Sequence, residues 1–317
     1  MSKTINRIND IIFNEIMKRG YTLEWNTRVF NIADSKLWYI TPEQAQAFLD
    51  LEKSEDYQKA VISKEIKIIN DNITEITKDI KDKPVNIIDL GCWDWKKAML
   101  FISYLKDKKK IRYCPIDISS FMVEQAMNEL DKSWVKEVIK FQWNISDFEN
   151  LSNISSLLRS VEYKDNLFLL LGNTLWNFEA DDLLYKIHNC MRDDDILIIW
   201  NWLNNKNYEE LLNSYNDEYV DRWLKKILTQ VWLEEDNLHF WVWFRKSRLE
   251  LYYSIRRDCR VNFLDKKLDF FAWDQIVIAI SYKYTQKDFE NYMRKYFSKI
   301  KMFFSDDIWY VVAMCQK

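Results

Sequence analysis

The sequence predicts an α/β protein: a doubly wound parallel sheet ending in an antiparallel hairpin, with a smaller α+β subdomain inserted before its end. Three observations support this. Between residues 85 and 200, short apolar runs alternate with amphipathic stretches, the pattern of a parallel sheet with right-handed crossovers. Between 204 and 283 the alternation gives way to helices followed by long strand-like runs. After 284 a helix and two final strands return.

Residues 1–60 read as polar and helical, broken near Gly20 and again at Ile40-Thr41-Pro42-Glu43. There Thr41 can cap a helix that has Pro42 at its first position. Residues 60–80 place Val61, Ile62, Ile66, Ile69, Ile73 and Ile76 at helical spacing. The alternation comes next: strand 85–90, helix 96–106, strand 111–118, helix 120–132, strand 138–145, a short helix near 149–159, strand 166–172, helix 179–190 and strand 195–200. Helices are expected near 206–214 and 217–231. The runs HFWVWFR, RLELYYSIR and QIVIAISYKY read as antiparallel strands. Helix 286–297 and strands 298–305 and 308–315 close the chain, with Asp306-Asp307 as a tight hairpin. The expected division is 61–203 with 284–317 as the ligand-binding domain, and 1–60 with 204–283 as the substrate subdomain.

Composition narrows the function. The 317 residues, 48% of them hydrophobic, suffice for one large domain or two modest ones. The net charge of −3 gives no basic field for nucleic acid. No apolar run approaches the roughly 20 residues of a membrane span. The N-terminus lacks a signal peptide's apolar core, so a cytoplasmic protein is expected. The five cysteines, Cys92, Cys114, Cys190, Cys259 and Cys315, form no CxxC pair, and His188 and His239 are the only histidines. No metal site is therefore expected. A monomer is expected, with a small-molecule substrate and neither nucleic acid nor membrane as partner.

In an open α/β sheet, ligands bind at the carboxyl ends of the strands, where the strand order reverses. The first strand ends in Asp89-Leu90-Gly91-Cys92, the second in Asp117-Ile118-Ser119, and the third leads to Asp147-Phe148. The fourth runs into Gly172-Asn173-Thr174-Leu175-Trp176-Asn177-Phe178. Asp117 can accept both ribose hydroxyls of a nucleoside. Asp147 can bond an exocyclic amine while Phe148 packs on the base. No GxxxxGK[ST] phosphate loop and no GxGxxG turn is present. The terminal hairpin suits a sheet that binds S-adenosylmethionine.

The segments IIDLGCWDWKKA, KKIRYCPIDIS, SDF and LLGNTLWNF together resemble the S-adenosylmethionine-dependent histidine Nα-methyltransferases of the ergothioneine-pathway type. The likeness is specific over 85–180 and looser elsewhere. It implies a Rossmann-like class I methyltransferase fold and S-adenosylmethionine as cofactor. It also implies methyl transfer to the amino nitrogen of a small molecule, histidine or another amino acid. By the resemblance, Gly91 and Lys97 lie near the methionine part of the cofactor, Asp117 at the ribose and Asp147 with Phe148 at the adenine. Gly172 lines the same pocket. Asn177 grips the substrate's amino and carboxyl groups with help from Tyr39. Tyr215 contacts the substrate carboxylate, and Ser281 helps to read the imidazole.

Two departures stand out. Two residues before Ser281 the family's histidine-specific members carry a glutamate, and here the position is Ala279. Losing that carboxylate removes a charge-assisted contact and points away from histidine. The second departure is compositional. The chain has 3 glycines and 15 tryptophans, where ordinary usage would give about 22 glycines. Trp93, Trp95 and Trp176 stand where the family has small residues, mostly glycine. Trp200 and Trp202 stand at and just after the end of the fifth strand, where a Gly-rich loop would be natural, and Trp143 and Trp309 also sit where glycine reads easily. Trp241 and Trp243 are ambiguous. One cause explains both anomalies: a source that reads UGA as glycine, its gene translated here with UGA as tryptophan. If the indoles are real, they fill cofactor volume, and a catalytically inactive binding protein of the same fold is the alternative.

Overall fold

A computed structural model describes residues 9–92, 95–132, 137–138, 148–204, 208–245 and 247–317. Trp93, Trp143 and Asp147 lie outside the described residues.

The chain begins with helix α1 (Asp10–Arg19), strands β1 (Thr22–Glu24) and β2 (Thr27–Asn31), and helix α2 (Pro42–Lys53). A single turn, α3 (Glu55–Tyr57), leads through a π-turn into α4 (Ser63–Ile76). The alternation comes next as β3 (Val85–Leu90), α5 (Trp95–Leu105), β4 (Ile111–Ile116), α6 (Ser120–Leu130), β5 (Glu137–Val138), α7 (Leu151–Leu158), β6 (Asp165–Leu170), α8 (Ala180–Cys190) and β7 (Ile196–Trp202). After it come α9 (Tyr208–Asn213), α10 (Glu218–Thr229), β8 (Leu238–Arg245), β9 (Arg248–Ile255), β10 (Cys259–Phe263), β11 (Lys266–Phe270) and β12 (Gln275–Tyr282). The chain closes with α11 (Gln286–Tyr296), β13 (Lys299–Phe304) and β14 (Tyr310–Gln316).

The structure divides into two compact units, Met1–Lys53 with Lys206–Tyr282, and Ser54–Asn205 with Lys283–Lys317. Among the described residues, the second unit holds a seven-stranded sheet in the order β13-β14-β7-β6-β3-β4-β5. Strands β3, β4, β5, β6 and β7 pair in parallel, and β14 runs antiparallel to both β7 and β13. The chain starts at central β3, builds outward through β4 and β5, then crosses back to place β6 on the other side. The order therefore reverses between β3 and β6, the position that opens a ligand crevice in this architecture. All residues of β3 and β7 are buried, as expected of strands covered on both faces. Away from the crevice, β3 and β6 are tied by a buried bond from Asn86 Nδ2 to Asn166 Oδ1 at 2.9 Å. Buried Asp195 adds an ion pair with Arg159 and accepts the Asn166 backbone N–H.

The first unit contains a five-stranded sheet, β1-β2-β12-β9-β8, and a separate β10-β11 hairpin. Helices α2 and α10 pack together, and α10 also touches β12. Tyr253 of β9 donates its hydroxyl to Asp221 of α10.

Several expectations need correction. Residues 1–60 are not helical throughout: β1 and β2 form a hairpin that joins β12. The fifth parallel strand continues to Trp202, two residues past its expected end at Trp200, so Trp202 also lies within β7 rather than in a loop after it. Trp200 is fully buried and stacks on Tyr310. The final connection spans 305–309, longer than an Asp306-Asp307 turn, because Ser305 and Tyr310 already pair across it. The β10–β11 hairpin has no counterpart in the expected elements.

Candidate functional site

The crevice of the larger unit is built by two loops that touch. Gly91, just after β3, has φ +78°, a left-handed conformation that a side chain would strain. A Cβ there would sit 3.0 Å from Thr174 Oγ1 in the loop after β6. Thr174 is itself fixed by donating its hydroxyl to Leu171 O at 2.8 Å. Gly91 and Cys92 both donate their backbone N–H to Ile116 O at the end of β4. Three strand ends thus meet at one glycine.

The loop after β6 carries two consecutive left-handed residues, Gly172 (φ +69°) and Asn173 (φ +63°). It then tightens into a 3-10 turn over Thr174–Asn177. Gly172 donates its N–H to Glu65 Oε1 at 3.2 Å. Glu65, buried on α4, pairs through its other oxygen with buried Lys97 of α5 at 3.0 Å. One carboxylate therefore links the loop after β6 to the helix that comes after β3. Sequence alone does not mark Glu65, because it reads as one polar residue among the apolar positions of α4.

Asp117 lies at the end of β4, buried, with Oδ1 accepting the Ser119 backbone N–H at 2.9 Å. That bond uses one lone pair and fixes the carboxylate at the crevice. Asp89, buried one strand over, accepts the Tyr113 hydroxyl at 2.5 Å. Burial first, and the Asp89 charge next, push the Tyr113 phenol well above its usual range. Cys92 is pushed up for the same reasons, burial first and then Asp117 and Asp89, so its thiol is not a nucleophile. Half-buried Phe148 packs its ring 5.5 Å from that of Phe178.

Three of the expected cofactor residues, Gly91, Lys97 and Gly172, are thus connected, and Asp117 shares the same strand ends. The set suits S-adenosylmethionine: a backbone approach that only glycine permits, a buried ribose-type acceptor and a buried cation. Asn177 is half-buried at the end of the 3-10 turn. Its neighbour Trp176 is buried, with its ring 5.0 Å from that of Trp202. The Lys283 ammonium stands 3.4 Å above the Trp176 ring, itself buried. Trp95 opens α5 half-buried against the cluster of Cys92, Val123 and Ala126, so it has a packing role where a small residue was expected.

The smaller unit brings together Tyr215 and Ser281, whose hydroxyls lie 3.1 Å apart. Burial pushes the Tyr215 phenol up, and the Ser281 bond partly offsets that. Ser281 and Ala279 share one face of β12, opposite Leu249 and Leu251 of β9. Glu250, which pairs with Ile280 and so belongs to the opposite face of the sheet, is buried and clasped by Arg245 and Arg248. Tyr39 lies in an aromatic cluster, stacked 5.7 Å from Trp223 and edge-on to Phe48 at 5.3 Å. The adjacent Trp38 donates its indole N–H to Ile278 O of β12 at 2.8 Å, which anchors this segment to the strand that carries Ser281.

Among the described residues, no helix is long and apolar enough to cross a membrane. No group of three or more His, Cys, Asp or Glu side chains there is arranged to hold a metal ion.

Residues 45–317 match a family model described as a histidine-specific, S-adenosylmethionine-dependent methyltransferase. No curated protein matches the chain. Among solved structures, a protein from Pyrococcus horikoshii OT3 is similar at 12% identity and a TM-score of 0.45, over 87% of this chain and 99% of that one. A putative methyltransferase from Thermobifida fusca YX is similar at 10% identity and a TM-score of 0.45, over 90% and 94%. A complex of DhpI with S-adenosylhomocysteine is similar at 8% identity and a TM-score of 0.40, over 90% and 96%.

Proposed function

The chain belongs to the histidine-specific, S-adenosylmethionine-dependent methyltransferase family, and from that premise we propose that it methylates the amino nitrogen of a small amino compound, with an amino acid as the substrate class. The observation that carries this reading is the contact between Gly91 and Thr174, where the loops after β3 and β6 close at the strand-order reversal.

The cofactor supplies a methyl group already activated on a sulfonium, so the protein's work is alignment and exclusion of water. In this proposal Asp117 accepts the ribose hydroxyls, and Phe148, with Asp147, holds the adenine. Gly91 and Gly172 let the cofactor approach the backbone, and Lys97 attracts its carboxylate end. Asn177 orients the amine, a role shared with Tyr39. The attacking nitrogen must be neutral, and its proton leaves to water after the N–C bond forms. Tyr215 and Ser281 read the rest of the substrate.

The face around Ser281 carries the neutral Ala279, Leu249 and Leu251, and the strand carboxylate Glu250 pairs with Ile280 on the opposite face. That supports a substrate with an uncharged side chain over one carrying imidazole.

The test is Asn177→Ala, assayed with labelled S-adenosylmethionine against an amino-acid panel. A higher KM with a lower kcat is expected, and an unchanged kcat/KM would remove Asn177 from the site.

A further inference from the structure

Left-handed backbone belongs chiefly to glycine, because a Cβ in that region crowds the following carbonyl oxygen. All three glycines, Gly20, Gly91 and Gly172, have positive φ. Among the described residues, seven others do, and three of those are tryptophans: Trp25 (φ 57°), Trp232 (φ 64°) and Trp273 (φ 76°). Each occupies a different kind of turn, and in each the rule for that turn asks for glycine.

Trp25 and Asn26 form the two-residue loop between Glu24 and Thr27 of the β1–β2 hairpin. Gly-Asn is a favoured pair there because the first loop residue needs positive φ. The Trp25 side chain is 99% exposed, so packing does not explain the indole. Trp232 ends α10. Its N–H bonds Thr229 O at 3.1 Å, and the next N–H, of Leu233, bonds Leu228 O at 3.3 Å. These are the two bonds of a Schellman termination, which places Trp232 at the left-handed position where glycine dominates. Trp273 is the third residue of a turn closed from Asp274 N to Phe271 O at 3.0 Å. Positive φ at that position defines a type II turn and calls for glycine. Its side chain is 74% exposed.

Other tryptophans behave as tryptophans should. Buried Trp38 donates its indole N–H to Ile278 O, as buried indoles usually do, and the more exposed Trp241 donates its own to Ser254 Oγ. Trp176 is buried and its indole N–H has no acceptor among the described residues. Trp200 and Trp223 share that lack, but they stack on Tyr310 and Tyr39. Trp176 differs in its place: it stands in the loop after β6, between Thr174 and Asn177, with the Lys283 ammonium on its ring face.

We propose that the native protein carries glycine at 25, 232 and 273, where the backbone requires it, and at 176, where the indole fills ligand space of the crevice. The assignment at 176 rests on the methyltransferase reading, and the other three do not. Removing the Trp176 ring frees volume beside a buried ammonium, suited to an anionic group such as an amino-acid carboxylate.

The test has three arms with separate readouts. Codon sequencing and peptide mass mapping of the protein from its native source should give UGA codons and glycine residues at 25, 176, 232 and 273. UGG codons, or tryptophan in the peptides, would overturn the proposal. In the recombinant chain as written, Trp25→Gly, Trp232→Gly and Trp273→Gly together should raise the melting temperature, while Trp38→Gly lowers it. A lower melting temperature in the triple variant would contradict the turn assignments. Trp176→Gly should gain S-adenosylmethionine or amino-acid binding by calorimetry over the unaltered chain. Glycine found at 176 with no gain in binding of either ligand would overturn the ligand-space assignment and leave the three turn assignments standing.

Discussion

At Gly91 a single methyl group decides whether two loops can close. Gly91→Ala would force a Cβ to 3.0 Å from Thr174 Oγ1 at φ +78°. The left-handed backbone alone costs about 1–2 kcal/mol, so chemical denaturation should show at least that loss together with weaker cofactor binding. An unchanged midpoint would mean the loops yield freely. The Lys97–Glu65 pair makes a second residue-scale prediction. Lys97→Met leaves the Glu65 carboxylate buried without its cation, a change worth roughly 3–5 kcal/mol. Adding Glu65→Gln should restore part of the loss, and additive losses would show the pair is uncoupled. At Ala279, Ala279→Glu reinstates a carboxylate two residues before Ser281. A charge-assisted bond is worth roughly 1.5–3 kcal/mol, so kcat/KM for histidine should rise at least about tenfold relative to an apolar amino acid. No change in the ratio would place Ala279 outside the substrate pocket. The Cys92 thiol, held protonated by burial, should resist alkylation at neutral pH in the folded protein.

Elements are legible in the sequence where their ends carry chemistry. Thr41 and Gln44 form a capping box at α2: Thr41 Oγ1 accepts the Gln44 N–H at 3.3 Å, and Gln44 Oε1 accepts the Thr41 N–H at 3.0 Å. Thr41→Ala should cost about 1 kcal/mol in unfolding free energy, and a neutral effect would mean that another group caps the helix. Strand β3 is legible to the residue because six apolar or buried positions end at a glycine. The β1–β2 hairpin is not, for a physical reason: its turn signal is a glycine position occupied by Trp25, and its strands are three and five residues long. The β10–β11 hairpin hides for a similar cause, since its turn carries Leu264 at φ 54° rather than a residue that favours that conformation. Strand β7 runs past its expected end at Trp200 because the indole at 202 reads as loop, whereas both Trp200 and Trp202 pair with β14 and contact Tyr310.

For the whole molecule, the order β7-β6-β3-β4-β5 places the ends of β3 and β6 side by side. The residues at the carboxyl end of each strand therefore reveal Gly91, Asp117 and Gly172 without any geometry. Strand ends cannot reveal groups that act from a distance along the chain. Glu65 reaches the crevice from α4, and Lys283 from the segment after β12. Tyr215 and Ser281 are each proposed substrate contacts on the strength of the resemblance, but their bond joins residues 66 positions apart and depends on the fold of the smaller unit. Cofactor binding should also raise global stability, by about 2.7 kcal/mol at a concentration one hundred times Kd.

The most direct test of methyl transfer to an amino nitrogen is mass spectrometric mapping of the product formed from methyl-labelled S-adenosylmethionine and an amino-acid panel, with the Trp176→Gly protein beside the chain as written. The expected result is a label on the α-amino nitrogen of an amino acid with an uncharged side chain, formed faster by Trp176→Gly. A label on carbon, oxygen or a ring nitrogen, or no transfer by a variant that binds the cofactor, would contradict it.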